Sequence, residues 1–260
     1  MKILIFLFLL IILFIFYLSE KNRKNAPTIN FNIYYQSPTI VLMGIFNEFV
    51  RLFDDSYIYD VNEFKIHNKL KLNHDKLLKE FELNYDKYKL INPGVFDDDF
   101  KQNNDKYGYF NVNYYGYINK GKFNELEKII KDDRDVVTCF YSVIDGKKNI
   151  PKHRGPYNGI VRYHYTLFSP DDKRDYLKVN GEKLYWMEND GFMFDDTYEH
   201  YVKKKSAGMR VSIIIDVKRK LPYILNIFNE FILNHISNTE YVINNRKKLE
   251  LKLRKKIRIT

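Results

Sequence analysis

Three patterns of hydrophobic and polar positions follow one another along the chain. The first is an unbroken apolar run from Ile3 to Leu18, preceded by Lys2. As a helix it rises roughly 24 Å, a little less than a hydrocarbon core of about 30 Å. No small-residue cleavage pattern follows, because "FYLSEKNRK" offers only Ser19. Residues 1–20 are therefore expected to be an uncleaved transmembrane helix, making the chain a single-pass membrane protein. Lys21, Arg23 and Lys24 outnumber Lys2, a bias that favours the cytosol for the rest of the chain without fixing the side.

The second pattern has helical spacing. "IVLMGIFNEFVRLF" carries Val41, Ile45, Phe49 and Leu52 on one predicted face. "HDKLLKEFELNYDKYKLI" repeats the spacing, with Asp75 near its start and Asn92-Pro93-Gly94 beyond its end. Residues 97–106 read as a polar loop. The third pattern is β. "YGYFNVNYYGYI" alternates, "KFNELEKIIKD" interrupts as a short helix, and from Val136 the runs "VVTCFYSVI", "GIVRYHYTLF", "YLKV", "EKLYW", "GFMF", "YEHYV" and "MRVSIIIDV" are short and bounded by turn residues. Asn180-Gly181 predicts a two-residue hairpin. So many short antiparallel candidates point to a sandwich or jelly roll. After Pro222 helical spacing returns, with Leu225, Phe228, Phe231 and Ile232 as its face. The expected divisions are 1–20 (anchor), 21–106 (linker and helices), 107–221 (β core) and 222–260 (helix and basic tail).

Composition changes this picture little. Hydrophobic residues make up 45% of the chain, ample for a core. The single cysteine, Cys139, excludes an intramolecular disulfide and a cysteine-based zinc site, and its neighbours Val136, Val137 and Phe140 predict a buried strand position. Charge adds one feature. Of the net +10, most sits in residues 246–258, where eight Lys and Arg face Glu250 alone. Such a tail grips nucleic acid or an anionic membrane surface, or is a solvated end.

Candidate chemistry lies in the β-rich part. His153 and His200 each fall at the edge of a predicted strand, where a jelly roll can bring strand ends together around a metal. Two residues after His153, where a non-haem iron site has a carboxylate, stands Gly155. Arg210 is the only charged residue between Lys205 and Asp216 in a run that otherwise reads as buried. A buried guanidinium needs an anion. Asp216 is one internal candidate, and a bound dicarboxylate, helped by the Ser142 hydroxyl, is the other. Asp195 and Asp196, near His200, are candidate acceptors for imidazole N–H groups, or exposed turn residues.

The segments "SVIDGKKNIPKHRGPYNGIVRYHYTL", "VNGEKLYWMENDGFMFDDTYEHYV" and "MRVSIIIDV" resemble the catalytic domain of the aspartyl/asparaginyl β-hydroxylase family, over about residues 107–221. "HRGPYNGIVRYHY" is similar to the version of this motif in the family's lipid A hydroxylases. The resemblance implies a mainly β chain with flanking helices, a double-stranded β-helix (jelly roll, cupin-like). It implies an iron(II)- and 2-oxoglutarate-dependent dioxygenase that uses O2 to hydroxylate an unactivated C–H bond. The substrate would be an Asp or Asn side chain of a protein, or an acyl chain. His153 and His200 would be the iron ligands, and Ser142 and Arg210 would hold the distal carboxylate of 2-oxoglutarate. Arg162 and His164 would contact the co-substrate near the metal, and Tyr107 would be a further contact. The family's animal β-hydroxylases carry glycine at the position of Gly155, so the resemblance implies a site that works without the carboxylate; some lipid-hydroxylating relatives have Asp there, so Gly155 favours the protein-hydroxylating branch while its neighbours favour the lipid one. The membrane would be contacted through the N-terminal helix and the basic tail. The alternatives are a catalytically inactive, membrane-tethered jelly-roll binding module and, least favoured, a nucleic-acid binder working through the tail.

Overall fold

The computed structural model describes residues 2–22, 38–93 and 106–252. Helix α1 (Lys2–Asn22) forms over the first apolar run. Among the described residues, however, no helix is long and apolar enough to cross a membrane. The sixteen-residue run is several ångströms short of a hydrocarbon core. The expected single-pass anchor, and the membrane localisation and orientation that depended on it, are corrected accordingly.

Eight consecutive strands form the core: β4 (Val136–Asp145), β5 (Lys148–His153), β6 (Ile160–Phe168), β7 (Tyr176–Val179), β8 (Glu182–Leu184), β9 (Asp190–Phe194), β10 (His200–Lys204) and β11 (Met209–Lys218). They divide between two antiparallel sheets. The larger has the order β9-β6-β11-β4, extended by β1 (Ile58–Tyr59) beside β9 and by β2 (Tyr107–Tyr114) and β3 (Tyr117–Ile118) beyond β4. The smaller has the order β5-β10-β7-β8. This is the jelly-roll arrangement that the strand spacing predicts and, in its two-sheet form, the cupin-like one that the family resemblance implies. Asn180 and Gly181 both take positive φ, 44° and 94°, as a two-residue turn between β7 and β8 requires.

Alternation along the strands builds two cores. On one face of the larger sheet, Tyr141, Val143, Tyr163, Tyr165, Ile213 and Ile215 pack against α3 (Lys65–Leu72), α4 (His74–Lys87) and α5 (Asn124–Ile130). On the inner face, Tyr107, Ile144, Phe192 and Phe194 meet Ile150, Leu177, Val179 and Val202 of the smaller sheet, with Trp186 between them. Covered on both faces, β11 is buried at every position from Arg210 to Val217. Cys139 is fully buried, in agreement with its strand setting.

A third cluster joins α2 (Pro38–Arg51) to α6 (Tyr223–Ser237) and α7 (Glu240–Lys252). Both α2 and α6 sit where their periodicity puts them, but rotated. Met43, Phe46 and Val50 are buried while Leu52 is exposed; Ile232, Leu233 and Ile236 are buried while Phe228 and Phe231 are exposed. The basic tail also differs from expectation. Its first half is α7, docked through Val242, Asn245 and Leu249, with Arg246 donating to the carbonyl of Tyr115. Residues 253–260 and most of the expected polar loop at 97–106 lie outside the described residues.

Candidate active site

His153 and His200 face each other directly across β5 and β10. Their ring centroids are 4.1 Å apart. The register slips just beyond this pair, leaving an extra residue on β5 at Pro151-Lys152. A bulge of this kind re-aims a side chain next to a site, and an edge strand tolerates the missing N–H of proline. Both rings are oriented by one device. Nδ1–H of His153 donates to the carbonyl of Pro151 at 2.9 Å, and Nδ1–H of His200 donates to the carbonyl of Tyr198 at 2.9 Å. A carbonyl only accepts, so each ring is fixed with its lone pair on Nε2, the form that binds a metal. Burial, with His153 beside it, depresses His200 to about 3, so this imidazole is neutral at pH 7.

Gly155 follows on the same segment, its N–H donating to the carbonyl of Asp196 at 2.7 Å. A Cβ added here would lie 2.2 Å from Asp196 Oδ1 and 2.4 Å from its Cγ. The space that a longer side chain would enter is therefore filled by the Asp196 carboxylate. Among the described residues no three His, Cys, Asp or Glu are grouped as a metal site, so the pair of histidines stands without a third such ligand.

Asp196 is committed elsewhere. Arg162 reaches it through Nη1 at 3.0 Å and holds Asp216 through Nε at 2.8 Å and Nη2 at 3.1 Å. Burial raises the Asp196 carboxyl to about 6. Burial also opposes the charge on Arg162, but Asp216 and Asp196 outweigh it and hold the guanidinium above its ordinary range. Asp195 pairs with buried Arg219 and accepts from the Thr197 hydroxyl at 2.6 Å. Neither aspartate accepts from Nδ1 of His153 or His200; backbone carbonyls take that role.

Arg210 has no such compensation. It is 2% exposed, donates from Nη2 to Ser142 Oγ at 3.1 Å, and has no ion-pair partner among the described residues. Burial lowers it to about 10, and Tyr107, Tyr109 and the more distant Asp175 offset that only in part. The expected internal partner, Asp216, is six residues along the same strand, roughly 20 Å away at about 3.3 Å per residue. Register instead places Asp216 opposite Arg162. Sequence spacing gave the shared face but not the neighbour.

Between Arg210 and the histidine pair lies His164, buried and stacked on Phe192 at 5.0 Å. Both of its ring nitrogens lack partners among the described residues. Burial, with Arg210 nearby, holds it neutral, so it presents one donor and one acceptor. Tyr107 closes the Arg210 end: it is opposite Ile144, which is opposite Arg210, and its hydroxyl meets that of Tyr109 at 2.5 Å. The structure thus brings the seven predicted residues to the inner face, with Arg162 already occupied by two carboxylates. Trp186 was not singled out in the sequence, although its ring lies 4.4 Å from the Arg210 guanidinium. Its only sequence signal is that it is the one tryptophan of the chain.

The donor set fits a divalent metal and a dicarboxylate. Two imidazoles held through Nδ1 turn Nε2 to the site, and a buried cation without an ion-pair partner among the described residues awaits an anion. Residues 113–220 match the sequence profile of the aspartyl/asparaginyl beta-hydroxylase family. The chain is 30% identical over 122 residues to an ornithine lipid ester-linked acyl 2-hydroxylase of Rhizobium tropici, covering 45% of this chain and 43% of that one. It is 31% identical over 77 residues to the human aspartyl/asparaginyl beta-hydroxylase, covering 30% of this chain and 10% of that one. The chain spans less than half the length of each of these curated relatives. A solved 2OG-Fe(II) oxygenase-family oxidoreductase from Burkholderia pseudomallei superposes with a TM-score of 0.36 at 13% identity, covering 44% of this chain and 68% of that one.

Proposed function

We propose that the chain, whose residues 113–220 match the profile of the aspartyl/asparaginyl β-hydroxylase family, is a member of that family and an iron(II)- and 2-oxoglutarate-dependent hydroxylase. The observation that carries the proposal is Arg210, a buried guanidinium with no ion-pair partner among the described residues, on a sheet whose inner face is packed against the smaller sheet that carries two oriented histidines. His153 and His200 would hold iron(II) through Nε2. Arg210 and the Ser142 hydroxyl would bind the distal carboxylate of 2-oxoglutarate, a forked cation matching a forked anion. His164 offers a neutral donor and acceptor between the two ends. The apolar side chains of Phe192, Phe194 and Trp186 exclude water and strengthen each polar contact. When bound, iron(II) and 2-oxoglutarate supply oxygen activation: one atom of O2 enters a C–H bond and the other enters succinate, with release of CO2.

An acyl chain is the favoured substrate, because the match to the ornithine lipid acyl hydroxylase is the longer of the two, 122 residues against 77. An Asp or Asn side chain of a protein is the second reading, supported by the matching family description. The test is succinate release with iron(II), 2-oxoglutarate and O2, together with a gain of one oxygen atom on an ornithine lipid or on an Asp/Asn peptide. His200→Ala is expected to abolish turnover, as loss of one of only two protein ligands should. Iron-dependent succinate release that persists in this variant contradicts the ligand assignment.

A further inference from the structure

We propose that Trp186 is a further co-substrate-positioning residue, which holds Arg210 on its ring face and offers its indole N–H to the distal end of the dicarboxylate. The inference rests on the reading of Arg210 given above. Trp186 follows β8, outside any strand, and is 3% exposed. The Arg210 Cζ lies 4.4 Å from its ring centroid. A carboxylate in that place would fix the guanidinium too, but it would also cancel the charge and occupy N–H donors. An indole face attracts the cation and leaves its in-plane donors available. Arg210 Nε is in fact buried without a partner among the described residues.

A second observation points into the same pocket. Trp186 Nε1 is itself buried and has no partner among the described residues, whereas a buried indole N–H usually has an acceptor. Thr166 and Ser212, register partners across β6 and β11, also bury hydroxyls without partners, and Ser212 is opposite Ser142. Donors thus stand in excess at the end of the site where Arg210 lies, as an anion with several lone pairs requires. The ring also begins an aromatic wall. Trp186 is 5.9 Å from Phe192, Phe192 is 6.2 Å from Phe194, and Phe194 is 5.3 Å from His200. Trp186 thus stands at one end of a run of ring contacts that reaches from Arg210 to His200.

The test uses the full chain with manganese(II), which binds such sites without turnover. Because Trp186 is the only tryptophan, its emission reports this position alone. In the wild type, 2-oxoglutarate is expected to change that emission saturably. By calorimetry, Trp186→Phe, which keeps a ring but loses the N–H, is expected to weaken 2-oxoglutarate binding about tenfold, and Trp186→Leu further. Pyruvate, which lacks the distal carboxylate, is expected to bind both variants as it binds the wild type; a role in packing alone would move both ligands or neither. If both variants bind 2-oxoglutarate within twofold of the wild type while Arg210→Met does not bind it, the role of Trp186 is overturned and the dicarboxylate reading stands. If the wild type does not bind 2-oxoglutarate, or Arg210→Met binds it normally, that reading falls and the inference falls with it.

Discussion

Two arginines, Arg162 partly buried and Arg210 fully so, stand on the inner face of the larger sheet, and their electrostatic situations are opposite. Arg162 is enclosed by Asp216 and Asp196, so removing it strands two buried carboxylates. Arg162→Met is predicted to cost about 3–5 kcal/mol of stability. Arg210 carries the burial cost of a charge with no carboxylate in contact, Asp175 acting on it only at longer range, so Arg210→Met is predicted to stabilise the ligand-free protein by about 1–3 kcal/mol while abolishing 2-oxoglutarate binding. Urea unfolding of the two variants checks the pair of signs; a destabilised Arg210→Met would show that the guanidinium already has its partner. Gly155 gives a second prediction. Because Asp196 occupies the space beyond it, Gly155→Asp is expected to lower the melting temperature and to leave iron(II) affinity no tighter than in the wild type. A stable variant that binds iron more tightly would contradict this. The charge of Arg210 and the pairing of His153 with His200 were legible in the sequence. The Asp216–Arg162 pair was not, because spacing within one strand says nothing about register with the next.

At the scale of elements, alternation and turn chemistry located most strands, and Asn180-Gly181 located a hairpin. Strand β5 escaped because "KNIPKH" has neither alternation nor a continuous apolar run, and its proline argues against a ladder. The rotated faces of α2 and α6 have a different origin: periodicity shows that a helix has a face, but the neighbours decide which side is covered. Helix α3 shows the consequence for pH. His67, 2% exposed, hydrogen-bonds through Nδ1 with the Tyr163 hydroxyl at 2.7 Å, and its Nε2 lies 3.6 Å from Asp190. Burial lowers its pKa below 6.5 despite Asp190. The unfolded chain therefore takes up this proton first. The contribution of His67 is complete above pH 6.5 and is lost as pH falls toward the folded value, by at most about 1.4 kcal/mol per pH unit. His67→Gln is predicted to be less stable than the wild type at pH 8, with the gap narrowing by pH 5.5. A gap independent of pH in urea titrations would contradict that assignment.

The whole molecule is a jelly roll whose inner face carries its own charge balance. Arg162 and Arg210 equal in number the carboxylates of Asp196 and Asp216, both of which lie on Arg162, and His164 and His200 are neutral. A divalent cation or a dicarboxylate dianion bound alone would upset that balance by two charges; bound together they preserve it, so the two are expected to bind cooperatively. The apolar N-terminal run was read as a membrane span, but apolarity alone does not supply the required length. The most direct measurement is a visible spectrum taken without oxygen. Iron(II) alone is predicted to give no band. Addition of 2-oxoglutarate is predicted to produce the weak charge-transfer absorption of its chelate, lost in His153→Ala and diminished in Arg210→Met. Absence of the band from folded wild-type protein with excess iron(II) would contradict the assignment of this site as an iron- and 2-oxoglutarate-dependent hydroxylase.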